Sequence, residues 1–244
     1  MPDQGSLTHG HLLAGRVRYA QPRDGFRSGI EPVLLAAAVP ARPGDRVLEA
    51  GSGAGATLLC LAARVSGVQG IGLEQDASLV ALARENAATN GWPELQFITG
   101  DIGTQSLAGT FDHACANPPY HPPAGTPSPD SGRDVAKRGT DGLLAMWSQA
   151  LARPLRPRGT LTLILPAALL TQAVAAFADA SCQPTAMLPL WPKAGRPAKL
   201  MMLRAVKGGR SPFRVLPGLI LHTADGGFTS EAEAILRDGA PLTL

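Results

Sequence analysis

Apolar residues in this chain fall into short runs broken by turn residues, and the runs come in two lengths. Strand-sized runs stand at 46–50, 68–73, 95–99, 111–116 and 160–165, and helix-sized runs at 56–65, 76–89, 141–152 and 167–178. Strands alternating with helices predict βαβ units, and hence a mostly parallel sheet with helices on both faces. Asn90-Gly91 ends the second of these helices, as a C-terminal stop should.

The flanks follow other patterns. Residues 12–19 suggest a short hairpin strand pair, 21–25 a turn, and 30–39 a helix that tolerates Pro32 in its first turn. Beyond the alternating stretch, 187–191 and 200–205 flank 192–197 as a hairpin, followed by a last strand and helix. There is no internal repeat, low-complexity tract or separate second domain.

Composition narrows the class. A chain of 244 residues with 45% apolar content can bury a sizeable core as one domain with a modest appendage. The net charge of +3 and a pI near 9.0 fit a protein that meets nucleic acid through one basic surface. No apolar run approaches the roughly 20 residues of a membrane span. The polar first residues show no export signal, so a cytoplasmic protein without membrane partners is expected. Cys60, Cys115 and Cys182 lie far apart in apolar company and read as buried thiols. His9 and His11 read as a solvated terminus, since no cysteine or carboxylate cluster supports a metal there.

Chemistry collects at the ends of the strands. The first strand runs into Gly51-Ser52-Gly53-Ala54-Gly55, then a helix: the arrangement that turns backbone N–H groups and a helix N-terminus toward a ligand. Its Gly51-x-Gly53-x-x-Ala56 spacing also fits a dinucleotide fingerprint, so the motif by itself chooses no cofactor. Glu74 ends the second strand, placed to accept from ribose hydroxyls or to act as a helix N-terminal charge. Asp101, after the third strand, is placed to accept from an adenine amine or to cap the next turn.

The fourth strand delivers Asn117-Pro118-Pro119-Tyr120 to the same edge. An Asn carboxamide oxygen, the stiffened carbonyl of Pro118 and a Tyr ring provide two acceptors and a stacking face. They suit a planar –NH₂ group, whose two hydrogens they hold while its nitrogen attacks. The following loop, 121–138, carries Arg133, Lys137 and Arg138, and the hairpin tip carries Lys193, Arg196 and Lys199. Both are candidate phosphate contacts, with solvated surface charge as the plain alternative.

Glu49-x-Gly51-x-Gly53-x-Gly55, Glu74, Gly100-Asp101 and Asn117-Pro118-Pro119-Tyr120 together resemble class I S-adenosylmethionine-dependent methyltransferases acting on amino nitrogens, over roughly 46–166. Residues 25–36 and 221–232 resemble the leading segment and C-terminal signature of the tRNA(Val) adenine-N6 methyltransferase group. That group usually has Asp where Glu31 stands, followed by a non-proline.

The resemblance implies a Rossmann-like α/β fold, with a seven-stranded mostly parallel sheet whose last strand is antiparallel. It also implies a leading segment at 1–43, a methyltransferase domain at 44–206 and a strand–helix extension at 207–244. The cofactor would be S-adenosylmethionine, held by Glu49, Gly51, Gly53, Gly55, Glu74, Asp101 and Asn117. Asn117, Pro118, Pro119 and Tyr120 would carry catalysis. RNA, expected to be tRNA, would meet Tyr120, Arg133, Lys137, Arg138, Lys193, Arg196 and Lys199, without a metal, on a monomer or homodimer. Four alternatives stay open: a protein glutamine-amide methyltransferase, a guanine-N2 rRNA enzyme, a nicotinamide-dependent oxidoreductase and a non-catalytic RNA-binding module.

Overall fold

The described chain begins with an antiparallel hairpin, β1 (Leu7–Leu12) and β2 (Val17–Pro22), in which Leu12 pairs with Val17. The computed structural model describes residues 7–24, 28–105, 107, 109–119 and 132–244, with 132–141 described as helical backbone only. After α1 (Glu31–Ala38) come β3 (Arg46–Ala50), α2 (Ala56–Arg64), β4 (Gln69–Glu74), α3 (Ala77–Thr89), β5 (Leu95–Thr99) and β6 (Phe111–Ala116). The remainder is α4 (Gly132–Ala152), β7 (Leu155–Pro166), α5 (Leu170–Asp179), β8 (Cys182–Lys193), β9 (Leu200–Lys207), β10 (Arg214–Val215), β11 (Leu219–His222) and α6 (Ser230–Leu236).

Strands β5, β4, β3, β6 and β7 are parallel neighbours in that order. β9 lies between β7 and β8 and is antiparallel to both. These seven are the expected strands. Short β10 and β11 add to β8 in parallel, making nine in the sheet.

Alternation along the strands sends side chains to two cores. Val47 packs with α1, α2 and α3 on one face, while Leu48 and Ala50 pack with α4 and α5 on the other. Buried Arg204 on β9 ties the far flank down, donating to the carbonyls of Ala38 and Leu244. All three cysteines are free and buried, as their apolar neighbours implied. Among the described residues no helix is long and apolar enough to cross a membrane.

Three expected boundaries shift. α4 begins at Gly132, so 133–138 are helical backbone rather than loop; weak formers such as Gly139 and Thr140 had hidden the helix. β7 begins at Leu155, which pairs with Phe111; the turn-like residues Arg156-Pro157-Arg158-Gly159 fall in the register shift before Thr160 pairs with His113. The hairpin spans 7–22, and Gln21 and Pro22 extend β2 instead of turning.

Candidate active site

All five parallel central strands end at one edge, and the candidate residues gather there. Beyond Ala50, the amides of Gly51 and Ser52 both donate to the carbonyl of Leu73, at 2.8 and 3.2 Å, which fastens the glycine turn to β4. Gly53 and Gly55 have φ of 53° and 91°, left-handed values that side chains resist. A Cβ on Gly55 would come within 2.8 Å of the Phe97 ring, so α2 packs against β5 only because nothing is there. A Cβ on Gly53 would meet nothing within 4 Å; above it lies open space for a ligand.

Glu74 reaches back into this turn. Its Oε2 accepts from the Gly53 amide at 3.0 Å and its Oε1 from the Asp76 amide at 3.1 Å. A carboxylate has about four acceptor positions, so these two bonds leave it able to take ribose hydroxyls as well. Asp101 is exposed, and its Oδ1 accepts from the Gly103 amide at 2.7 Å. The turn-capping role is therefore present, and by the same count it does not exhaust the carboxylate.

Glu49 is the electrostatic centre. It is 3% exposed, and among the described residues its Oε2 has no hydrogen-bond partner. Burial pushes its carboxyl up to about 8, and the nearby charge of Glu74 adds to the rise, against hydrogen bonds from Thr57 and the Leu58 backbone. Raised this far, the carboxyl keeps its proton in the ligand-free protein, and a cation beside it would draw it to the charged form, so the residues present fit the cationic S-adenosylmethionine. The Tyr19 hydroxyl, 2.9 Å from Ser28 Oγ, is driven to about 12 chiefly by burial, and it too feels Glu49.

Asn117 follows β6 directly. Ala50 pairs with Ala116, so Gly51 and Asn117 are each the first residue beyond that last pair, on neighbouring strands about 4.8 Å apart. Asn117 is half-buried, Pro118 buried and Pro119 exposed. Tyr120 lies outside the described residues, as do the side chains of Arg133, Lys137 and Arg138. Helix α4, on which those three cations sit, touches the turns after β3 and β5. Its Trp147 ring would stand 2.9 Å from a Cβ on Gly51, and its Met146 sulfur 3.1 Å from one on Gly103. Sequence reasoning missed Trp147, whose place in an apolar helix face reads simply as core.

The hairpin tip reaches the same edge because β8 runs parallel to the central strands. Arg196 and Lys199 are exposed there. Lys193 is not free: it is half-buried and donates to the Ala224 carbonyl at 2.9 Å, fastening the turn after β11. Among the described residues no group of His, Cys, Asp and Glu could hold a metal ion.

Comparison with known proteins agrees with this geometry. A family model described as "methyltransferase small domain" matches residues 30–138. The tRNA1(Val) (adenine(37)-N6)-methyltransferase of Aeromonas hydrophila is 31% identical over 213 residues, 85% of this chain and 87% of that protein. The enzyme of the same name from Dickeya chrysanthemi is 29% identical over 227 residues, 90% of this chain and 89% of that protein. Among solved structures, a predicted O-methyltransferase from Agrobacterium tumefaciens superposes with a TM-score of 0.71 at 22% identity, covering 88% of this chain and 99% of its own. TrmN from Thermus thermophilus gives 0.50 at 20% identity, over 69% of this chain and 46% of its own. At these identities the two structures speak for the Rossmann-like fold.

Proposed function

The chain belongs to the tRNA1(Val) (adenine(37)-N6)-methyltransferase family, and from that premise we propose that it transfers a methyl group from S-adenosylmethionine to the exocyclic N6 amine of an adenine in tRNA. The observation that carries the reading is the pairing of Ala50 with Ala116, which brings the ends of β3 and β6 together. It supports a cofactor on the glycine turn facing an acceptor amine beside Asn117. The relatives' names favour adenine 37 of tRNA1(Val) as the target.

The bound cofactor would supply a methyl group on a sulfonium, an electrophile that needs only an aligned nucleophile. The chain's task is that alignment. An exocyclic adenine amine is a poor nucleophile because its lone pair is shared with the ring. Asn117 Oδ1 and the Pro118 carbonyl, accepting its two hydrogens, favour the pyramidal amine whose lone pair points at the methyl group. Tyr120 supplies a ring on which the base stacks. Glu74 and the glycine turn would hold the ribose and the cofactor backbone, Glu49 would lie toward the cationic end, and Asp101 would accept from the cofactor's own adenine amine. Transfer would form the N6–C bond as the sulfonium S–C bond breaks to leave a neutral thioether. The methylated amine, strongly acidic while cationic, would give its extra proton to water; rate then comes from orientation and fixed dipoles, without a strong base.

In this reading residues 44–206 form the catalytic body and both flanks brace it. Bonds between the flanks support that division: Leu242 N donates to Ala37 O at 2.9 Å, and Arg16 Nη1 to Asp238 O at 2.8 Å. The methyltransferase relatives also favour this activity over the nicotinamide site that the glycine spacing alone allows.

The test is to delete the gene, digest total RNA to nucleosides and measure N6-methyladenosine, then restore it with the purified protein, cofactor and unmodified tRNA. Loss and restoration of that nucleoside are expected. A missing N2-methylguanosine, or an unmethylated protein glutamine with intact RNA, would overturn the assignment.

A further inference from the structure

Helix α3 docks the N-terminal hairpin through two asparagines four residues apart. Asn86 Oδ1 accepts from Ala20 N and its Nδ2 donates to Ala20 O, both at 2.9 Å. Asn90 Oδ1 accepts from Arg18 N at 2.9 Å and its Nδ2 donates to Arg18 O at 2.8 Å. The geometry matches because four helical residues rise about 6 Å and two strand residues advance about 6.6 Å. Two carboxamides thus act as a substitute strand along the open edge of β2, each satisfying one residue's N–H and C=O.

The two asparagines differ in their remaining donor. Asn90 turns back to the Asn86 carbonyl at 2.8 Å. Asn86, 4% exposed, reaches the glycine turn, donating to Ala54 O at 3.0 Å. Ala54 has only a methyl group with which to hold its place. Fixing its carbonyl fixes the whole 54–55 peptide plane, and the Gly55 N–H on the other side of that plane donates to Ser52 O at 2.9 Å. Two peptides earlier, the Gly53 N–H is held by Glu74. Side chains from β4 and α3 therefore set two peptides of the turn, 52–53 and 54–55.

We propose that Asn86 is a positioning residue for the cofactor: it holds the glycine turn in its receiving shape through Ala54 O and makes the hairpin part of the same rigid unit. The proposal rests on the reading of the glycine turn as the cofactor site.

The test compares Asn86→Ala with Asn90→Ala in the full chain, by thermal melting without ligand and calorimetric titration with S-adenosylhomocysteine. Both variants release one rung of the hairpin, so both should melt earlier. Only Asn86→Ala should raise the Kd, by about tenfold or more, with Asn90→Ala within about twofold of wild type. Equal weakening in the two variants would assign the effect to hairpin docking and overturn the proposal, as would a wild-type Kd in folded Asn86→Ala. Should that variant not fold, Asn86→Ser, whose hydroxyl serves one partner at a time, should bind between wild type and tenfold weaker. Wild-type affinity in it, or failure of both to fold, would leave Asn86 to the fold alone and overturn the proposal. A wild-type protein that does not bind S-adenosylhomocysteine would instead sink the cofactor reading itself.

Discussion

Glu74 Oε2 lies 3.0 Å from the backbone nitrogen of Gly53, so the acid ending β4 and the glycine turn leaving β3 form one hydrogen-bonded unit. The same carboxylate that can meet ribose hydroxyls also shapes the glycine turn that we propose receives the rest of the cofactor. Two functions on one side chain make its removal costly at both places.

Glu74→Ala should therefore weaken S-adenosylhomocysteine binding by at least the loss of one charge-assisted hydrogen bond, about 1.5–3 kcal/mol or roughly ten- to a hundredfold in Kd. Glu74→Gln, with a neutral acceptor of the same shape, should fall in between. Calorimetry decides, and wild-type affinity in a folded Ala variant would remove Glu74 from the site.

Asn117→Ala should leave cofactor affinity within a few-fold of wild type while lowering methyl transfer by about 10²-fold or more, since the lost acceptor aligns the attacking amine. Single-turnover transfer of labelled methyl to tRNA reads the chemistry. Turnover within a few-fold of wild type would show that Asn117 does not hold the amine.

Glu49 gives the ligand-free protein a pH dependence with a definite sign. Its folded-state value near 8 stands above the ordinary 4.5, so the folded chain keeps a proton that the unfolded chain releases. The resulting stability is whole below about pH 4.5 and is lost as pH rises through about 8. Glu49→Gln lacks this loss, so its melting temperature should fall less than that of wild type between about pH 5 and pH 9. Parallel curves would mean that the carboxyl is ionised and paired throughout.

The hairpin-tip cations should separate by their contacts. Replacing exposed Arg196 and Lys199 by Ala should flatten the salt dependence of tRNA binding by about 0.7 log units of slope per lost single-stranded phosphate contact. The same applies to Arg133, Lys137 and Arg138 replaced together. Lys193→Ala should instead lower the melting temperature and keep the slope, because its ammonium is engaged by Ala224 O. Binding isotherms across a salt series test all three, and an unchanged slope in the first two would make those cations bystanders.

The order of strands and helices, the left-handed glycine turn, and the acids and Asn117 at successive strand ends were legible in the sequence alone. Each depends on contiguous residues: a hydrophobic period, a glycine's freedom at positive φ, a turn closing a strand. What the tertiary structure decided was which distant groups those features meet. Asn86 in a helix surface pattern looks like any polar residue until Ala20 and Ala54, 66 and 32 positions away, arrive within reach. Lys193 looks like a solvated hairpin lysine until β11 adds to β8 and brings Ala224 to it. Trp147 is core, as its helix face suggests, but that Gly51 stands against its ring is seen only once β3 is in place. Local conformation is written in neighbouring residues, but a hydrogen bond between remote segments leaves no period or spacing in either, so only the folded chain reveals it.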